Sequence, residues 1–304
     1  MKSKLFVTLG KNVCRFCLTV LAITVFLFFV FSSQKAASLS NEEISLLQQD
    51  IMAKLTGKTE ITQGVLMPNR STIENRIITR DYLFGLLQEF GYKALRHTYS
   101  DEGENVYAIL KSTSPSDEYI LLGAHYDTVR DCPGANDNGT GVVAVLTLAR
   151  TLSQLEDRSK NLIIILFDQE ERGMLGSKQF AQKLKDENMN VHSVHTIDQM
   201  GWDEDGDRAF ELEIPYEGAV DLYEEAVHSQ GKQLTIHITS ERGSDHSAFR
   251  RLEFKATGIT EEYRNSDTTP HIHRSTDTYD TINFDYLLST TLIFEEAIKS
   301  LLRS

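Results

Sequence analysis

The chain has 304 residues, 40% of them apolar and 25% charged, enough for one large domain that buries its own core without covalent staples. Beyond residue 37, 26 Lys and Arg face 44 Asp and Glu, and the resulting charge of −18 repels nucleic acid and anionic lipid. Cys14 and Cys17 lie near the amino terminus and only Cys132 in the body, which excludes an intrachain disulfide there and is compatible with a bacterial periplasm.

Residues 1–37 carry Lys2, Lys4, Lys11, Arg15 and Lys35 and no acid, and Phe16 to Phe31 form an uncharged run of 16 residues, FCLTVLAITVFLFFVF. A basic segment followed by an apolar one is the layout of an export signal. The run fits a cleaved signal with a weak small-residue site at Ala36-Ala37-Ser38, or an uncleaved anchor. In both cases the body is expected outside the cytoplasm, periplasmic or secreted, touching a membrane only through residues 16–31. Residues 38–304 are then expected to form one catalytic domain.

Ser40-Asn41-Glu42-Glu43 predicts a capped helix carrying Ile44, Leu47 and Ile51 on one face. A second helix is expected from about Ser71 to Phe90, ending at Gly91. Strands are then predicted at 105–110, 119–122, 162–167, 191–197, 233–238 and 254–259. Helices are predicted at 141–155, 175–185, 217–230 and 285–302. Runs such as LIIILF are apolar at every position, as strands buried on both faces require. The alternation predicts an α/β domain of three layers, a mixed, mostly parallel central sheet covered by helices on both faces, of the phosphorylase/hydrolase-like kind.

Sites in open α/β sheets form at the carboxyl ends of strands. Gly-Ala-His125-Tyr-Asp127 follows the strand at 119–122, Asp168-Gln-Glu170-Glu171 follows 162–167, and Asp198 follows 191–197. Between the first two, Pro133-Gly-Ala-Asn-Asp137-Asn-Gly opens a helix, and after the last strand comes His271-Ile-His273. Buried imidazoles and carboxylates cost desolvation energy unless they are paired or metal-bound. Nitrogen and oxygen donors without thiols suit zinc or a similar divalent ion, and five ligands with one bridging carboxylate would hold two ions. Asp127, two residues after His125 on a strand, shares its face and could orient the imidazole.

The strings GAHYDTV (123–129), PGANDNGTGV (133–142), FDQEERGMLGS (167–177), IDQMGW, SDHSAF (244–249) and HIHRSTDTYDT (271–281) resemble the two-zinc aminopeptidases of metallopeptidase family twenty-eight, which also contains glutaminyl cyclases. The resemblance implies a zinc-dependent exopeptidase acting on peptides, with a glutaminyl-peptide cyclotransferase or a non-catalytic exported relative as alternatives. It implies His125 and Asp198 as ligands of one zinc, Glu171 and His273 of the other, and Asp137 as the bridge. Glu170 becomes the general base and Asp127 the partner of His125. His271, Asp245 and His246 match no ligand position, and the last two are expected to hold structure by hydrogen bonds. Members often carry a cis peptide after the bridging aspartate, here Asp137-Asn138. The loop before SDHSAF reads Ser240-Glu241-Arg242-Gly243, which makes Glu241 and Arg242 candidate substrate-pocket residues.

Overall fold

In the computed structural model, residues 38–304 are described, and residues 39–304 form one compact unit. The apolar run 16–31, with the export expectation it carries, lies outside the described residues. No helix among them is long and apolar enough to cross a membrane.

The Ser40 side chain and Glu43 form the expected capping box, which starts α1 (Asn41–Leu55). A small antiparallel pair, β1 (Glu60–Thr62) and β2 (Val65–Leu66), follows, and α2 (Ile73–Glu89) is capped by Thr72. The remaining elements are β3 (Leu95–Thr98), β4 (Glu104–Leu110), β5 (Glu118–His125), α3 (Gly141–Leu152), β6 (Asn161–Phe167), α4 (Leu175–Asp186), β7 (Asn190–Ile197), β8 (Phe210–Glu213), α5 (Ala219–Ser229), β9 (Ile236–Thr239), α6 (His246–Arg250), β10 (Ala256–Glu261) and α7 (Phe284–Arg303).

Eight strands form the main sheet in the order β3-β4-β6-β5-β7-β10-β8-β9. The four contiguous strands β6, β5, β7 and β10 pair in parallel, as do β8 and β9, while the other three pairings are antiparallel. The sheet is thus mixed with a parallel centre, as the alternation predicts. Every residue of β6 is buried: Leu162, Ile164 and Leu166 join the core on one face, and Ile163, Ile165 and Phe167 that on the other. Helices α1, α2, α3, α5 and α7 contribute to the first core, and α4 and α6 to the second. A buried aliphatic side chain contributes ~1.5–3 kcal/mol, so β6 anchors both layers.

Besides the small β1–β2 pair, two strands of the main sheet went unpredicted. β3 is an edge strand of mixed residues, and β8 reads Phe-Glu-Leu-Glu, too short and too acidic to stand out. The strand expected at 233–238 occupies 236–239 and the one at 254–259 occupies 256–261, because pairing with β8 and β7 sets their ends.

Candidate active site

His125 ends β5 in register with Phe167 of β6, so His125 and the turn after Phe167 leave the sheet side by side. The Tyr126 N–H donates to the Phe167 carbonyl at 2.9 Å and extends that alignment. Asp127 is buried, and its carboxylate accepts the N–H of Glu170 at 2.9 Å and of Glu171 at 3.2 Å. It thereby fixes the turn bearing both glutamates. Its distance to His125 Nδ1 is 3.5 Å, at the far edge of hydrogen-bond reach, so its firmer partners are the two amides.

Asp137 is held by the loop around it. The buried Asp277 carboxylate accepts the N–H of Asn136 at 2.8 Å and of Asp137 at 3.0 Å. Asn136 Nδ2 donates to both oxygens of Glu261, and Asn138 Nδ2 donates to the Ile197 carbonyl at 2.8 Å. The fully buried Arg70 guanidinium donates to the carbonyls of Leu55, Tyr126, Pro133 and Gly134 at 2.6–2.9 Å. Gly134 has φ +65°, and a Cβ there would lie 2.3 Å from Thr128 Cγ2, so only glycine fits. The Asp137-Asn138 peptide is cis, matching the expectation.

The five expected ligands converge. Asp137 places Oδ1 3.4 Å from His125 Nε2 and Oδ2 3.0 Å from His273 Nε2. Asp198 Oδ1 lies 3.4 Å from the same His125 nitrogen, and Glu171 Oε2 lies 3.3 Å from His273 Nε2. The result is two triads, His125-Asp137-Asp198 and Asp137-Glu171-His273, sharing one carboxylate. Among the buried atoms without a hydrogen-bond partner are Asp198 Oδ1 and Glu171 Oε1, polar groups that need a cation or a proton. These orphaned oxygens and the all-nitrogen-and-oxygen donor set fit a pair of divalent ions such as zinc.

Burial by itself would lower the His125 pKa, but Asp198, Asp127 and Asp137 raise it well above the usual value. Burial would raise Asp137, yet its contacts with His125 and His273 hold it below the usual carboxylate range. Glu170 is pushed up to about 9 by burial, with Asp245, Asp198 and Asp127 adding to the effect. Glu171 is pushed up to about 8 by burial and by Asp137. Glu170 and Glu171, unlike Asp137, thus tend to keep their protons until positive charge arrives.

A cavity of about 370 Å³ opens over the two triads, and Glu170 lines it. Glu241 lines it too, but Arg242 does not; the exposed Arg242 uses its carbonyl to accept from Ser247 Oγ at 2.9 Å. His246 is fully buried, with Nε2 3.3 Å from the Glu241 carbonyl, the structural part expected of it. Asp245 is buried beside the site and its pKa is pushed up to about 7, chiefly by burial. His271 stays apart from both triads, with Nδ1 2.9 Å from Thr276 Oγ1. Sequence reasoning overlooked Arg70, Asp277, Glu261, Glu211 and Glu213. Asp277 sits inside the HIHRSTDTYDT string, and its only signal was that neighbourhood. Glu211 and Glu213 lie on a four-residue strand too short to give a signal of its own.

The model of peptidase family M28 matches residues 105–298. A probable leucine aminopeptidase of Trichophyton verrucosum is 30% identical over 200 residues, covering 60% of this chain and 53% of that protein. The chain thus spans about half or less of the length of the curated relatives it matches. LapB of Legionella pneumophila superposes with a TM-score of 0.73 at 21% identity, over 87% of this chain and 73% of that one. A Porphyromonas gingivalis glutaminyl cyclase superposes with a TM-score of 0.69 at 19% identity, over 87% of this chain and all of that one. At such identities the likeness to the two solved structures concerns the fold. The family match itself spans most of the chain from β4 to α7, taking in both triads, and the chain belongs to peptidase family M28.

Proposed function

We propose that the chain is a zinc-dependent aminopeptidase that removes amino-terminal residues from peptides. The observation that carries this reading is the Asp137 carboxylate shared between two imidazole-bearing triads, with Glu170 beside them in an open cavity. His125 and Asp198 would hold one zinc, Glu171 and His273 the other, and Asp137 both. Two zinc ions bound there supply Lewis acidity toward water and the scissile carbonyl. Glu170 takes the proton from the attacking water and delivers it to the leaving amine. Asp127 holds the Glu170 backbone so that its carboxylate faces the cavity. The acidic lining attracts a free, protonated α-amine, which accounts for cleavage from the amino end. Residues 1–37 are proposed to export residues 38–304, and the mass of the protein's amino terminus after cell fractionation distinguishes cleavage near Ala37 from retention.

The test uses the zinc-loaded full chain with leucyl and lysyl p-nitroanilides, their N-acetylated forms, and a peptide beginning with glutamine. Hydrolysis of free-amino but not acetylated substrates is expected. Ammonia release from the glutamine peptide without hydrolysis would instead establish a glutaminyl cyclase.

A further inference from the structure

β8 sends its side chains alternately to two sides. Phe210 and Leu212 enter the core, while Glu211 and Glu213 line the cavity above the two triads. Glu211 is 1% exposed, and its Oε1 accepts the N–H groups of Tyr263 at 2.9 Å and Arg264 at 2.8 Å, which hold the carboxylate in place. Glu213 is 8% exposed, and its Oε2 has no hydrogen-bond partner. The nearest basic group is His246 Nδ1 at 3.3 Å, and that buried imidazole is held neutral, its pKa pushed down to about 4 by burial. Room for the Glu213 carboxylate comes from Gly258 on the paired strand, where a Cβ would approach Glu213 Oε2 to 2.2 Å. At the rim, Glu241 adds a third carboxylate on a loop fastened by His246 and Ser247. Among the described residues, no lysine or arginine lines this cavity.

Burial, with Asp198, Glu211 and Glu241 adding to it, pushes the Glu213 pKa up to about 8. This carboxyl therefore gives up its proton readily only when a cation comes to sit beside it, and in an open cavity the ligand can bring that cation. Glu211, Glu213 and Glu241 line the same cavity as the metal-directed residues and belong to neither triad, so they are free to meet the first side chain of a peptide. We propose that this acidic part of the lining is the side-chain pocket of the aminopeptidase and selects lysine or arginine as the amino-terminal residue, with Glu213 and Glu211 as the specificity-determining residues. The proposal rests on the aminopeptidase reading for its reaction, but not for its ligand chemistry.

The experiment compares kcat/KM of the zinc-loaded full chain on lysyl and norleucyl p-nitroanilides, which share chain length and differ in charge. Calorimetry with lysinamide and norleucinamide on the same sample measures binding without turnover. A charge-assisted contact in a desolvated pocket predicts a lysyl preference of at least about tenfold in both measurements. Glu213→Gln and Glu211→Gln should each cut that ratio by about threefold or more, and exposed Glu241→Gln, which poses no folding risk, by less. Equal binding of the two amides overturns the proposal whether or not the enzyme turns over, as does a lysyl preference that survives both buried substitutions. Lysinamide preference without hydrolysis of any substrate would sustain the pocket and sink the aminopeptidase reading instead.

Discussion

Asp277→Asn tests whether the bridging loop is positioned from outside the metal set. In the native chain one buried carboxylate accepts two adjacent amides, at 2.8 and 3.0 Å. An asparagine can serve one of them with its oxygen but turns an NH₂ donor toward the other. One charge-assisted bond is lost, worth about 1.5–3 kcal/mol, and a buried N–H is left unpaired at a further ~1–3 kcal/mol. Because the two overlap, a net loss of about 2–4 kcal/mol is expected. For a domain of this size each kcal/mol lowers Tm by about 2–4 °C, so the shift should be ~5–15 °C. Thermal unfolding is followed by circular dichroism on EDTA-treated protein, where metal binding does not contribute, and zinc content is measured separately on loaded protein. Zinc affinity should fall at both positions together, since Asp137 is common to both triads. An unchanged Tm in EDTA, or loss of a single zinc, would refute the idea that Asp277 sets the shared carboxylate.

Glu170→Gln keeps the shape of the side chain and removes the base, so zinc content should stay at two per chain while kcat falls by about 10²–10⁴; loss of metal at an unaltered rate per bound zinc would exchange its role with Glu171. Asp137→Asn offers one good ligand oxygen in place of two and should weaken both ions, which metal analysis after dialysis checks; two retained zincs with normal activity would dismiss the bridge. His195 is fully buried between Tyr223 Oη at 2.8 Å and Ser193 Oγ at 3.1 Å, and burial pushes its pKa down to about 3. The unfolded chain therefore takes up a proton below about pH 6.5 that the folded chain refuses, and stability declines from there toward pH 3, by up to about 1.4 kcal/mol per pH unit from this residue. Urea unfolding in EDTA at pH 7, 6 and 5 should show a shallower decline for His195→Gln than for the native chain, and parallel slopes would contradict a neutral buried imidazole.

Much of the site was legible in the sequence because a parallel strand ends where its apolar run ends, and the residues after that point stand at the mouth of the sheet. His125 ends β5, the Glu170-Glu171 turn and Asp198 follow β6 and β7, and their identities suffice to suggest a metal-binding set. The capping box at Ser40 and the doubly apolar β6 were equally readable, since both are local patterns. The pairing of ligands was not local. That Asp137 faces two imidazoles, one from β5 and one from the loop after β10, depends on the strand order β6-β5-β7-β10, which composition and periodicity leave open. The supports of the loop, Arg70 and Asp277, lie about 65 residues before and 140 after it, and only folding brings their charges to its backbone. Glu211 and Glu213 were hidden for a related reason. Four residues of alternating character do not declare a strand, and their carboxylates acquire meaning only when β10 pins β8 along the wall of the cavity. Sequence sets which groups a strand end can offer; the long-range register of the sheet decides which of them meet.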